Sequence, residues 1–76
     1  IDRWLGVYLE EIRRRGEADS TYVVWCSDHG EMLGDHERWG KSVPYHPAVS
    51  VPLIMAGPGI RAAARLDALV NHIDLA

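Results

Sequence analysis

The 76 residues carry 47% hydrophobic and 25% charged side chains, a balance that excludes disorder and allows at most one small domain. A formal net charge of −3 argues against nucleic acid as the main partner, because no basic stripe is present to neutralise phosphates. No apolar stretch approaches membrane-spanning length, and the single cysteine, Cys26, excludes an internal disulfide.

Apolar residues at Ile1, Trp4, Leu5, Tyr8, Leu9 and Ile12 follow the i, i+3, i+4 stripe of an amphipathic helix. Asp2 in its first turn and Arg13-Arg14-Arg15 in its last suit the helix dipole, and Gly16 is placed to end it as a left-handed C′ residue. After the polar turn Glu17-Ala18-Asp19-Ser20, the run Thr21–Cys26 is apolar without alternation. That pattern reads as a strand buried on both faces, as in a parallel sheet covered by helices. It makes Cys26 a buried core residue. Ser27-Asp28-His29-Gly30-Glu31 follows at once, so Asp28 and His29 emerge beyond the carboxyl end of a strand, where α/β sheets gather their ligands. Both are competent ligands for a divalent cation. The same residues also suit a simpler role, with Asp28 capping a turn and His29 solvated.

The stretch from His29 to Ser50 reads as a long loop, a feature that is usually functional in a compact domain. It holds a second acid–imidazole pair, Asp35-His36, then Trp39-Gly40-Lys41 and Pro44-Tyr45-His46-Pro47, whose prolines predict an extended, stiff segment. Asp35 suits a structural role, bonding nearby backbone amides. Val51–Met55 reads as a second strand with Pro52 near its start, closed by the turn Ala56-Gly57-Pro58-Gly59. Propensity favours a helix over Ala62–Val70, against a weak apolar period. Asn71-His72-Ile73-Asp74 reads as a turn, with Asp74 as a helix N-cap. Starting inside a helical pattern and stopping just after that cap, the chain is expected to be an internal piece of a larger α/β enzyme.

Taken together, Ser27-Asp28-His29-Gly30-Glu31-Met32-Leu33-Gly34-Asp35-His36, Trp39-Gly40-Lys41, Val51–Gly59 and His72–Ala76 resemble the metal-binding part of the sulfatases. These enzymes belong to the alkaline-phosphatase-like superfamily, with phosphonate monoester hydrolases and phosphodiesterases. The resemblance covers essentially the whole chain, residues 1–76, as part of a catalytic domain. It implies an α/β fold with a mainly parallel sheet flanked by helices. It also implies a small-molecule sulfate ester as substrate, or a phosphonate or phosphate ester.

By the same resemblance, Asp28 and His29 are metal ligands and Lys41, thirteen residues after the aspartate, contacts the oxygens of the ester group. His29 stands where many sulfatases have asparagine and where the phosphonate hydrolase branch has histidine. His46, at a position that often holds glutamate, is a candidate substrate contact and proton donor. Ser50 stands where arginine is common. One divalent ion is implied, calcium first, with manganese, magnesium or zinc as alternatives since an imidazole suits the softer ions. Sulfatases take their formylglycine nucleophile from a Cys/Ser-x-Pro-x-Arg segment. Cys26, followed by Ser27, Asp28, His29 and Gly30, does not match it. Trp39 and Tyr45 are candidates to line the substrate pocket or to pack the loop, and the remainder of the catalytic domain is the expected partner.

Overall fold

The computed structural model describes residues 1–75; Ala76, the last residue of the closing motif, lies outside the described residues. Helix α1 covers Asp2–Arg14. It ends as the sequence requires: Gly16 has φ +71°, its N–H donates to the Arg13 carbonyl at 2.9 Å, and the Glu17 N–H reaches the Ile12 carbonyl at 3.1 Å. This pair of bonds is the Schellman closure, which satisfies carbonyls the last turn would leave open. Leu5, Leu9 and Ile12 are half-buried while Ile1, Trp4 and Tyr8 stay exposed, so only one edge of the apolar stripe is covered.

The arginine run does more than complement the dipole. Glu11 accepts two bonds from Arg14, both 2.7 Å, and one from Arg15 at 2.8 Å. Arg14 and then Arg15 hold the Glu11 carboxyl below its ordinary range, against a smaller opposing effect of desolvation. A depressed carboxyl stabilises the fold above its unfolded pKa, and the stabilisation is lost as pH falls through the lowered folded value. Helicity of α1 by circular dichroism is therefore expected to decline below about pH 4.5, and Glu11→Gln should remove that component of the decline.

Two strands follow, β1 at Val23–Cys26 and β2 at Leu53–Ala56. They pair antiparallel. Strand identity thus agrees with the apolar runs, whereas the mainly parallel sheet needs more strands than the two among the described residues. Burial differs from expectation. Val24 and Trp25 are exposed, as are Ile54 and Met55, and Cys26 is exposed rather than a core residue. Among the described residues, too little packs over the two strands to bury these side chains.

By contacts the chain forms two compact units. The first, residues 1–24 and 55–63, holds α1, the start of β1 and the end of β2. Gly57 is obligatory there, since a Cβ would sit 2.5 Å from Tyr22 Cδ1. The Ile60 N–H donates to the Gly57 carbonyl at 3.1 Å, with Pro58 and Gly59 (φ +76°) at the two central positions, as in a type II turn.

The second unit, residues 25–54 and 64–76, centres on Met32 and Ala48, which are 1% and 2% exposed. Helix α2, His46–Val49, replaces the extended segment expected around the prolines. Pro47 lies in its first turn, where a missing N–H leaves no bond unmade. Residues 62–70 are not helical; Ala63 has φ +53°, and Leu66 and Leu69 are exposed, so propensity found no packing to support it. His72–Leu75 form a 3-10 turn. The Asp74 carboxylate reaches back to accept from the Asn71 N–H at 2.7 Å, as the acid of a capping box does. Among the described residues, no helix is long and apolar enough to cross a membrane.

Candidate functional site

The end of β1 opens directly into the site. The Ser27 hydroxyl donates to the His29 carbonyl at 2.8 Å, and the Asp28 carboxylate accepts from the His29 N–H at 3.1 Å, so the tip is a self-bonded turn. Gly30 then passes against α2. Its N–H donates to the Ala48 carbonyl at 2.8 Å, and the Glu31 N–H donates to the Pro47 carbonyl at 3.0 Å. A Cβ on Gly30 would stand 1.9 Å from the Pro47 oxygen. Glycine is needed here for close approach of two backbones, not for an unusual dihedral.

The orientation of the His29 ring follows from its partners. Nδ1 lies 2.7 Å from the Gly30 carbonyl, and a carbonyl only accepts, so Nδ1 carries the proton and Nε2 presents a lone pair. The Lys41 ammonium donates to that Nε2. Asp28 Oδ2 is 3.4 Å from the same nitrogen. An anionic oxygen and a lone-pair nitrogen this close repel unless a cation faces both, and here the nearby cation is Lys41. Desolvation acts to raise the Asp28 carboxyl; the charge the His29 ring carries when protonated, the Asp28 and His29 N–H groups and the Lys41 ammonium together outweigh it and hold the group below its ordinary range. The carboxylate is thus ionised near neutral pH and, being 84% exposed, open to an ion from solvent.

This donor set fits a divalent cation in part. The ring nitrogen offered is the one freed by a hydrogen bond at the other, the usual arrangement for a metal-ligating histidine. Asp28 and His29 are nevertheless a pair, and no group of three or more potential ligands occurs among the described residues, whereas structural zinc takes four ligands and calcium about six to eight.

Asp28, His29 and Lys41 are brought together. Asp35 and His36 are not part of this cluster: His36 stacks on Tyr45 with ring centroids 4.5 Å apart, and the turn at Asp35–Glu37 is closed by main-chain bonds such as Arg38 N–H to the Asp35 carbonyl, 3.0 Å. Tyr45 therefore packs the loop, and Trp39 is exposed. His46 lines a cavity of about 450 Å³ together with Cys26, Leu53 and His72, which Asp28, His29 and Lys41 do not line.

Two residues gain roles that sequence pattern did not reveal. His72 Nε2 donates to the Ser27 carbonyl at 2.8 Å, buttressing the tip from 45 positions away. The Glu31 carboxylate accepts from the Met32 N–H at 3.1 Å and from the Gly40 N–H. Only the place of Glu31 within the Asp-His-Gly-Glu run hinted at it.

Comparison with known proteins supplies the family. The sulfatase family model matches residues 1–76. Over 67 residues the chain is 43% identical to an extracellular sulfatase SULF-1 homolog of Drosophila melanogaster, covering 87% of this chain and 6% of that protein. It is 35% identical over 74 residues to arylsulfatase K of Mus musculus, covering 97% and 13%. It is also 35% identical over 71 residues to choline-sulfatase of Rhizobium meliloti (strain 1021), covering 93% and 14%. No solved structure matches. The chain thus spans a small fraction of the length of these relatives. With a family match along its whole length, and a strand-end Asp-His pair met by a lysine in its fold, the chain belongs to the sulfatase family.

Proposed function

We propose that these residues supply part of the active site of a metal-dependent hydrolase of sulfate esters built on the alkaline-phosphatase-like fold. The observation that carries this reading is the meeting of Lys41 with His29 Nε2 beside Asp28. Asp28 and His29 would hold a divalent ion, calcium first and manganese, magnesium or zinc as alternatives. When bound, that ion supplies Lewis-acid polarisation of the ester oxygens. Lys41 places a compact positive charge where oxygen charge is held as the bond breaks. His46 would contact the substrate by the family resemblance alone, since the cavity it lines is not shared with Asp28, His29 or Lys41. No Cys/Ser-x-Pro-x-Arg segment occurs in the 76 residues, so the formylglycine nucleophile of the proposal lies outside this chain, and these residues alone are not expected to turn over. The uncovered strand residues Val24, Trp25 and Ile54 support a place for the strands inside a larger sheet formed with the rest of a catalytic domain.

His29 favours a second reading, in which the same site hydrolyses a phosphonate mono- or phosphodiester. Turnover of an aryl sulfate and an aryl phosphonate by the full-length protein separates the two. The sulfate is expected to give the higher kcat/KM; a clear preference for the phosphonate replaces the first reading with the second.

A further inference from the structure

The loop that brings Lys41 back to His29 is held at its two ends by one clamp. The Gly40 carbonyl accepts from the Met32 N–H at 3.0 Å, and the Gly40 N–H donates to the Glu31 carboxylate, which also accepts from the Met32 N–H at 3.1 Å. Gly40 is therefore gripped through both its N–H and its carbonyl, immediately before Lys41. Met32, at 1% exposed, anchors the clamp in the core. The backbone between its jaws is strained: Leu33, His36 and Glu37 have φ +49°, +52° and +57°, each unfavourable for an L-residue by roughly 1–2 kcal/mol. Such a loop relaxes unless its ends are fixed. A carboxylate acceptor makes a stronger bond to a backbone N–H than a neutral one does.

We infer that Glu31 is a positioning residue: by fixing Gly40 it determines where the Lys41 ammonium arrives beside His29. Glu31 has no direct contact with the imidazole among the bonds described; it acts through the Gly40–Lys41 main chain. Its importance to the reaction rests on the proposed role of Lys41 as an oxyanion contact, while the positioning itself does not.

Nitrogen-15 NMR of the full-length protein tests it, reading the His29 Nε2 resonance and the Gly40 amide. Glu31→Ala is expected to shift the Nε2 resonance in the same direction as Lys41→Ala does and to move the Gly40 amide proton upfield. Glu31→Gln, whose side-chain oxygen can accept the same bond, should restore both. Where Glu31→Ala does not fold, Glu31→Asp, one methylene shorter, is expected to give the Nε2 shift. An unchanged Nε2 resonance in the folded variant overturns the proposal. Inorganic sulfate affinity provides the second arm. Glu31→Ala should weaken it about tenfold, the loss of one hydrogen bond's worth of orientation, and the double variant should be no weaker than Lys41→Ala alone. Additive losses would also overturn the proposal. If Lys41→Ala leaves sulfate affinity unchanged, the oxyanion role of Lys41 fails, and the Nε2 resonance still decides whether Glu31 positions it.

Discussion

Gly30→Ala is expected to destabilise the second unit more than any other single added methyl group. The new Cβ would lie 1.9 Å from the Pro47 carbonyl oxygen and 3.2 Å from the Ala48 carbonyl carbon, both backbone atoms that no side-chain rotation can move. Relief requires the strand exit and α2 to separate, which breaks the bonds from Gly30 N–H to Ala48 and from Glu31 N–H to Pro47, now 2.8 and 3.0 Å. Two lost hydrogen bonds at about 1 kcal/mol each and an overpacking cost of about 1–3 kcal/mol give roughly 3–5 kcal/mol. That is comparable with the whole stability of a small domain. Denaturant unfolding is the measure; a change below about 1 kcal/mol would mean the two backbones are not in contact in solution.

Asp28→Ala is expected to lower divalent-ion affinity by about a hundredfold or more, since even residues that merely support a ligand are worth tenfold to a hundredfold. The variant should fold, because Asp28 is 84% exposed and its carboxylate accepts only from N–H groups of its own turn, such as that of the adjacent His29. Asp35→Ala is the matched control. It removes another exposed carboxylate from the same loop, outside the cluster, and should leave affinity within about twofold, as for a distant screened charge. Calorimetric titration of the ion reads both. Equal affinities in the parent protein and Asp28→Ala would reduce the Asp-His pair to a solvated turn on an inert α/β module.

What the sequence made legible was what local chemistry decides. The α1 stripe and its glycine stop are set within a few residues, and the structure follows them to the Schellman bonds of Gly16 and Glu17. The apolar run before Ser27 forms a strand, and the Asp-His pair at its tip meets Lys41. The failures have a common cause. Burial depends on what lies opposite a residue, so the apolar character of Trp25 and Cys26 did not predict their exposure. The Ala62–Val70 propensity had no packed face to act through. Pro47 was read as a stiffener, when a helix's first turn accommodates it equally well. Glu31 and His72 act across 9 and 45 positions, and no periodicity announces a carboxylate gripping a distant amide or an imidazole gripping a distant carbonyl.

At the centre stands the convergence of one carboxylate, one unprotonated ring nitrogen and one ammonium on the same small space. Nitrogen-15 NMR of His29 during titration with a divalent ion tests this most directly. The Nε2 resonance should move on binding while Nδ1 keeps its proton on the Gly30 carbonyl, and the Lys41 ammonium should leave Nε2 at the same ion concentration. An Nε2 resonance that stays still while the protein takes up the ion elsewhere, or an ion that binds without disturbing Lys41, would contradict the account.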